Sequence, residues 1–175
     1  ILTSDSLSID GETIPVTAKG KELLTEIYKT HIGDYPKFYK MDMFSRLVFL
    51  ASELLILRED KSDGAMEHSV VLFNRTSSIV TDRKHIATIE DPKGFFPSPS
   101  VFLYTLPNIV TGEIAIKHGY TGETSLYILE DKNIEIMAAI VKSSFAMSES
   151  RLMITGWADC SAEDTFEAEL CLLRK

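Results

Sequence analysis

Apolar positions keep two rhythms along this chain, one of helical spacing and one of strand-like runs, and the two take turns. Over 17–31, Leu23, Leu24 and Ile27 share one face with Lys and Glu opposite, which predicts an amphipathic helix with Thr17 as its N-cap. Gly33 and Pro36 mark the loop that follows. Residues 42–58 carry the clearest helical pattern, with Phe44, Leu47, Val48, Ala51, Leu54 and Leu55 at i, i+3, i+4 and i+7 and Asp42 where an N-cap belongs. The polar stretch 60–67 leads into His68–Asn74, whose four consecutive apolar residues predict a buried, parallel strand. A helix is expected over 79–90, then a loop rich in Pro92, Gly94, Pro97 and Pro99 with the aromatics Phe95 and Phe96.

From Tyr104 to Gly119 the pattern is again helical, with Pro107 in the first turn and Gly119 just past the end. Residues 124–129 predict a strand, and 132–146 a helix with Ile134, Met137, Ala138 and Val141 on one side. Arg151–Trp157 and Thr165–Leu173 predict the last two strands. This alternation predicts an α/β domain with a mostly parallel or mixed sheet and helices on both faces.

Length and charge narrow the picture. A chain of 175 residues suits one domain, so 1–175 is read as a single unit. Lys and Arg number 18 against 26 Asp and Glu, and a net charge of −8 disfavours nucleic acid as a partner. The apolar runs are too short to span a bilayer. Cys160 and Cys171 cannot build a disulfide framework and read as thiols in a reducing cytoplasm. Because the chain starts at Ile1 rather than Met, upstream sequence is expected, whether a signal peptide or a first strand.

Local chemistry is sparse. His31, His68, His85 and His118 fall at no metal-ligand spacing, and no metal or cofactor is expected. Gly119-Tyr-Thr-Gly122 lacks the spacing of a phosphate-binding loop, and Asn74-Arg75-Thr76 is a sequon without other signs of secretion. Glu163, Asp164, Glu167 and Glu169 read as a solvated strand edge. Cys160 has no base or helix start nearby in sequence to activate it.

From Phe38 to Cys160, about 70% of the chain, the order of segments resembles the N-terminal half of the β-ketoacyl-ACP synthases of the thiolase-like superfamily. Met43-Phe-Ser-Arg-Leu-Val-Phe-Leu-Ala-Ser-Glu-Leu-Leu is similar to that family's early helix, and Ser69-Val-Val-Leu-Phe-Asn to its "G-V-V-x-G-T" strand. Tyr104-Thr-Leu-Pro-Asn-Ile-Val-Thr-Gly-Glu-Ile-Ala-Ile-Lys-His-Gly-Tyr-Thr-Gly resembles "x-x-x-P-N-x-x-A-G-x-I-A-I-x-x-G-x-x-G-P". Arg151-Leu-Met-Ile-Thr-Gly-Trp-Ala-Asp resembles "D-x-x-x-x-G-G-A-E/D".

The resemblance implies a thiolase-like half-domain whose nucleophilic cysteine is missing. Counting from Gly122, the family's cysteine position falls on Asp131, and a shift of two either way gives Leu129, Glu130, Lys132 or Asn133. Asp131 is therefore expected as the N-cap of the next helix, and the family's two histidines lie in a half not present in this sequence. The function implied is that of a catalytically degenerate accessory subunit in fatty-acid-like or polyketide assembly of the aryl-polyene type, acting in the cytoplasm. Its edge strand Thr124-Ser125-Leu126-Tyr127-Ile128-Leu129 would pair in a homodimer, or in a heterodimer with a full-length ketosynthase, with the Phe95–Phe102 segment near that interface. Lys37, Lys40 and Arg46 form the one local patch for an acyl carrier protein. Two other readings stand beside it: a module that binds an acyl chain among Met137, Phe145, Phe95 and Phe102, and a transferase using Cys160 or Ser125.

Overall fold

The computed structural model describes residues 1–59, 67–90 and 97–175. Seven strands form one mixed sheet: β1 (Leu2–Thr3), β2 (Leu7–Ile9), β3 (Glu12–Ile14), β4 (His68–Asn74), β5 (Thr124–Ile128), β6 (Leu152–Ala162) and β7 (Thr165–Arg174). Their order across the sheet is β3-β2-β1-β7-β6-β4-β5. The helices are α1 (Gly20–Ile27), α2 (Met43–Ile56), α3 (Ile79–Ile89), α4 (Pro99–Leu103), α5 (Ile109–His118) and α6 (Ile134–Met147).

β4 pairs in parallel with β5 on one side and β6 on the other, and all seven of its residues are buried. A strand covered on both faces has no solvent side to mark with polar residues, which is why its sequence is a continuous apolar run. β7 returns antiparallel to β6, and its more exposed residues alternate with buried ones at its start.

The two faces of the sheet are covered unequally. On one, α1, α2, α3 and α5 bury Leu23, Leu24, Leu47, Val48, Leu50 and Ile114 against Val70, Leu72, Ile154 and Ala158. On the other, α6 is the one helix among the described residues that covers Val71, Phe73, Met153 and Trp157. Helices on both faces are thus present, as the sequence predicts, in three layers.

α2 starts as expected: the Asp42 carboxylate accepts the Ser45 N–H at 2.9 Å, and its second oxygen takes the Thr81 hydroxyl at 2.5 Å. Gly119 closes α5 at φ 67°, the left-handed conformation that a C-terminal glycine adopts without strain.

Several features differ from the sequence reading, among them the helix expected from Tyr104, which starts only at Ile109 with Pro107 in the turn before it. The helix predicted over 17–31 is α-helical only from Gly20 to Ile27 and ends in a π turn, Tyr28–Ile32. Thr17 does not cap it; its N–H and hydroxyl donate to the Glu26 carboxylate, which also accepts the Ala18 N–H. These bonds hold the Glu26 carboxyl below its ordinary pKa. Residues 1–14, left without elements by the sequence, form β1–β3 beyond β7. β6 runs on past Trp157 to Ala162, because the buried Asp159 carboxylate is satisfied by the N–H groups of Arg75 and Thr76 and the Thr76 hydroxyl. Pro92, Gly94, Phe95 and Phe96 lie outside the described residues. Pro99 opens α4 behind an N-cap at Ser98.

Candidate functional site

The residues around the family's cysteine position and the expected edge strand lie in the passage from β5 into α6. Among the described residues β5 is the last strand of the sheet and pairs only with β4. Leu126 faces the larger core, while Tyr127 turns to the α6 side and stacks on Phe73 with centroids 5.6 Å apart. Thr124 and Ile128 are exposed. Leu129 extends the strand path, donating its N–H to the Asn74 carbonyl and packing under α6.

The turn that follows corrects the expected cap. Asp131 is exposed and accepts the Asn133 N–H only through its backbone carbonyl, at 3.0 Å. Asn133 is the N-cap, its side-chain oxygen accepting the Ile136 N–H at 3.1 Å. The physical reason lies in Leu129: with that residue held against the sheet, the chain turns over 130–132 and the first free helical N–H groups lie one step beyond Asn133. Lys132 reaches out to Glu169 at 2.5 Å. The α6 start therefore offers an amide and a carboxylate, and residues 129–135 carry neither thiol nor hydroxyl.

The alternative nucleophiles are placed elsewhere. Cys160 is 1% exposed, on the sheet face opposite α6, and its thiol donates weakly to the Ala162 carbonyl at 3.4 Å. Burial pushes its pKa up to about 12, with the nearby carboxylates of Asp42 and Asp159 adding to the shift. Cys171 is exposed on β7, yet desolvation and Glu169 also raise its thiol. In the native protein at pH 8, a disulfide-exchange reagent is expected to titrate one thiol slowly and the second only in denaturant. Two rapid thiols would contradict this placement. The Ser125 hydroxyl donates to Glu123 at 2.6 Å, and the second oxygen of Glu123 takes Ser144 of α6, so this carboxylate staples strand to helix.

An apolar groove of about 1040 Å³ runs beside α6. Met137 and Phe145 line it, as the binding-module reading expects. Phe102 does not: it is exposed on α4, its ring 5.5 Å from that of His85, and Phe95 lies outside the described residues. Ile134, although 61% exposed, lies on the groove side, while Ile136 and Met147 are exposed away from it.

Of the basic patch, Lys37 pairs with the buried Glu113 at 2.6 Å, and Arg46 bonds the Tyr39 carbonyl and lies over the Phe38 ring. Glu163 pairs with Lys84, Glu169 with Lys132, and Glu167 accepts the Trp157 indole N–H at 3.0 Å. His31 is exposed, whereas His68 is buried at the start of β4 with its ring 4.9 Å from Tyr120.

One cluster was not anticipated. Glu53, buried in the last turn of α2, holds Lys117 at 2.7 Å and His118 at 2.5 Å, and Lys117 lies 5.0 Å from both the Tyr35 and Phe49 rings. A lone carboxylate on an apolar helical face was the available signal, since such a charge needs a partner. No cavity opens onto this cluster among those described, and it reads as an anchor between α2 and α5.

No protein-family model matches the chain, and no curated protein matches its sequence. Solved structures do. The ishigamide ketosynthase/chain length factor matches with a TM-score of 0.60 and 19% identity, covering 78% of this chain and 39% of that one. A ketosynthase (ApeO) in complex with its chain length factor (ApeC) from Xenorhabdus doucetiae matches with a TM-score of 0.60 and 12% identity. That match covers 100% of this chain and 80% of the other. The chain thus shares the thiolase-like α/β fold of these proteins and spans well under half the length of the first. No helix among the described residues is long and apolar enough to cross a membrane.

Proposed function

We propose that this chain is a ketosynthase-like accessory subunit without condensing activity, working beside a cysteine-bearing ketosynthase in polyketide or fatty-acid-like assembly of the aryl-polyene type. The observation that carries the reading is the α6 start, where the Leu129–Asn133 turn supplies only Asp131 and the capping Asn133 where the family resemblance places a cysteine. A helix N-terminus activates a thiolate because dipole and free N–H groups stabilise the charge. A carboxylate there is stabilised but poorly nucleophilic, and acylating it would give a mixed anhydride, higher in energy than the thioester donor. Asn133 also consumes the Ile136 N–H that would face an incoming charge.

Two features support a partner. Among the described residues the outer edge of β5 has no strand partner, and proteins usually cover such an edge. Ile136 and Met147, exposed on α6 away from the groove, add apolar surface that a partner would cover. A homodimer or a heterodimer with a full-length ketosynthase would cover both, and the cytoplasm is the expected compartment. An acyl carrier protein would dock through the partner: the chain is acidic, as carrier proteins are, and Lys37 and Arg46 are engaged internally.

The test is a pull-down of the tagged protein from its own host, with captured proteins identified by mass spectrometry. Recovery of a cysteine-bearing ketosynthase, lost in Ile128→Lys at the exposed edge, is the expected result. Recovery of the chain alone, or acyl transfer from acyl carrier protein onto it that Asp131→Ala abolishes, would overturn the proposal.

A further inference from the structure

β5 carries negative charge at both of its ends. The Glu123 carbonyl accepts the Val70 N–H and the Leu129 N–H donates to Asn74, so both residues turn these backbone groups towards β4. Strand alternation then points the N–H and C=O groups of Thr124, Leu126 and Ile128 away from β4, along an edge with no strand partner among the described residues. Glu123 stands just before this stretch, and the exposed Glu130 and Asp131 just after it.

Glu123 is the half-buried member of the three. Its two oxygens accept the Ser125 and Ser144 hydroxyls, and no cation pairs with it among the described residues. It sits in a recess of about 420 Å³ between β5 and the side of α6 turned away from the apolar groove, beside Tyr127, Ile140 and Met147. The cations of this region are engaged or face elsewhere. Lys132 pairs with Glu169 of β7, Lys175 donates to the Ser148 carbonyl, and Lys142 lines the groove on the far side of α6.

These charges decide which strand can pair here. A second copy would meet the edge antiparallel, about a twofold axis. Full overlap of Thr124–Ile128 puts Leu126 opposite itself and Glu123 opposite Leu129, with Asp131 of the second copy as its diagonal neighbour. A register centred on Tyr127 puts Glu123 opposite Asp131 directly. Either way Glu123 of one copy gathers with Glu130 and Asp131 of the other, and the twofold repeats the cluster at the opposite end. Like charges in cross-strand positions oppose pairing. A strand with cations at its ends reverses the sign, and the recess fits such a side chain: Glu123 meets the charged head while Ile140 and Met147 cover its methylene stem.

We propose that the β5 edge rejects a second copy of this chain and selects a different chain, whose pairing strand is apolar in the middle and carries Lys or Arg at both ends, one of them seated on Glu123. The inference rests on the accessory-subunit reading for the partner's role, and it narrows the two dimers considered there to the heterodimer.

Sedimentation velocity of the purified chain and of Glu130→Lys combined with Asp131→Lys tests the selection. Self-association of the double variant is expected to be at least about 10-fold tighter than that of the unaltered chain in low salt, and to fade at about 0.5 M salt. Ile128→Pro removes an outward N–H and none of those bonded to β4, so self-association that it abolishes is pairing through β5. If the double variant does not fold, Glu130→Gln combined with Asp131→Asn replaces it, with a smaller gain in the same direction. A dimer of the unaltered chain that Ile128→Pro breaks would overturn the proposal, and so would a folded double variant that gains no pairing through β5. The seated cation is read on the complex recovered from the host: Glu123→Gln should weaken it at least about 10-fold in low salt and less in high salt, with the urea midpoint of the free chain unchanged. An unchanged affinity would overturn the seat on Glu123. Failure to recover any ketosynthase sinks the accessory-subunit reading instead, and the self-association results still decide whether the edge rejects its own copy.

Discussion

Gly156→Ala is expected to abolish the folded state. Gly156 lies in the middle of β6 at φ 142°, a region closed to residues with a Cβ, and stands opposite Leu170 of β7. A Cβ there would overlap the Glu169 carbonyl oxygen and stand 2.8 Å from the Leu170 Cα. Both obstacles are backbone of the adjacent strand, so no side chain can rotate away. β6 and β7 form the longest ladder of the sheet, from Leu152↔Arg174 to Ala162↔Thr165, and opening it by the width of a methyl would undo neighbouring pairs. Backbone strain alone costs about 1–3 kcal/mol, and the overlap adds to it. A total above about 4 kcal/mol is a large share of the roughly 5–15 kcal/mol that holds a domain together, and most of it at the lower end. The measurement is soluble yield with circular dichroism, followed by urea unfolding of any soluble fraction. A soluble variant with an unchanged urea midpoint would show that the two strands do not approach as closely as described.

The second large effect is expected from Phe49→Ala in α2. The ring is fully buried, 5.1 Å from Tyr35 and 6.4 Å from Phe38 between centroids, with the Lys117 ammonium 5.0 Å from its own centre. Truncation removes the buried hydrocarbon and leaves a cavity, together about 3–5 kcal/mol. It also removes an aromatic wall from Lys117, whose charge is balanced by Glu53 next to it. Phe49→Leu keeps most of the volume and should cost about 1.5 kcal/mol or less. Urea unfolding of the two variants at constant m-value separates these figures. A loss below about 1 kcal/mol for the alanine variant would exclude a buried ring at this position.

How far the sequence revealed the fold depended on how local the signal was. α2 and β4 could be read because their patterns follow from their own surroundings: a broad apolar stripe for a helix against a sheet, a continuous run for a strand buried on both faces. β1–β3 could not, since strands of two or three residues are too short to carry a period. β6 seemed to end at Trp157 because Asp159 reads as a loop residue, and only the spatial approach of Arg75 and Thr76 makes it a strand residue.

At the start of α6 the sequence reading chose Asp131 as the cap where Asn133 caps, because both side chains can cap a helix and the choice rests on how Leu129 is anchored. The groove was beyond sequence reasoning altogether. It arises from strand order, which places β1 beside β7 although the two are separated by nearly the whole chain.

That pairing has a consequence for biosynthesis. Leu2 pairs with Ala168, and β4 gains its two neighbours only when residues 124–128 and 152–162 have been made. Contacts of such long sequence separation form slowly, after the loop-closure entropy has been paid. During translation α2 therefore emerges well before the strands it will cover, with Leu47, Val48 and Leu50 still exposed. The nascent chain can complete its sheet only when its last strand has cleared the ribosome. Until then it is a natural client for a chaperone.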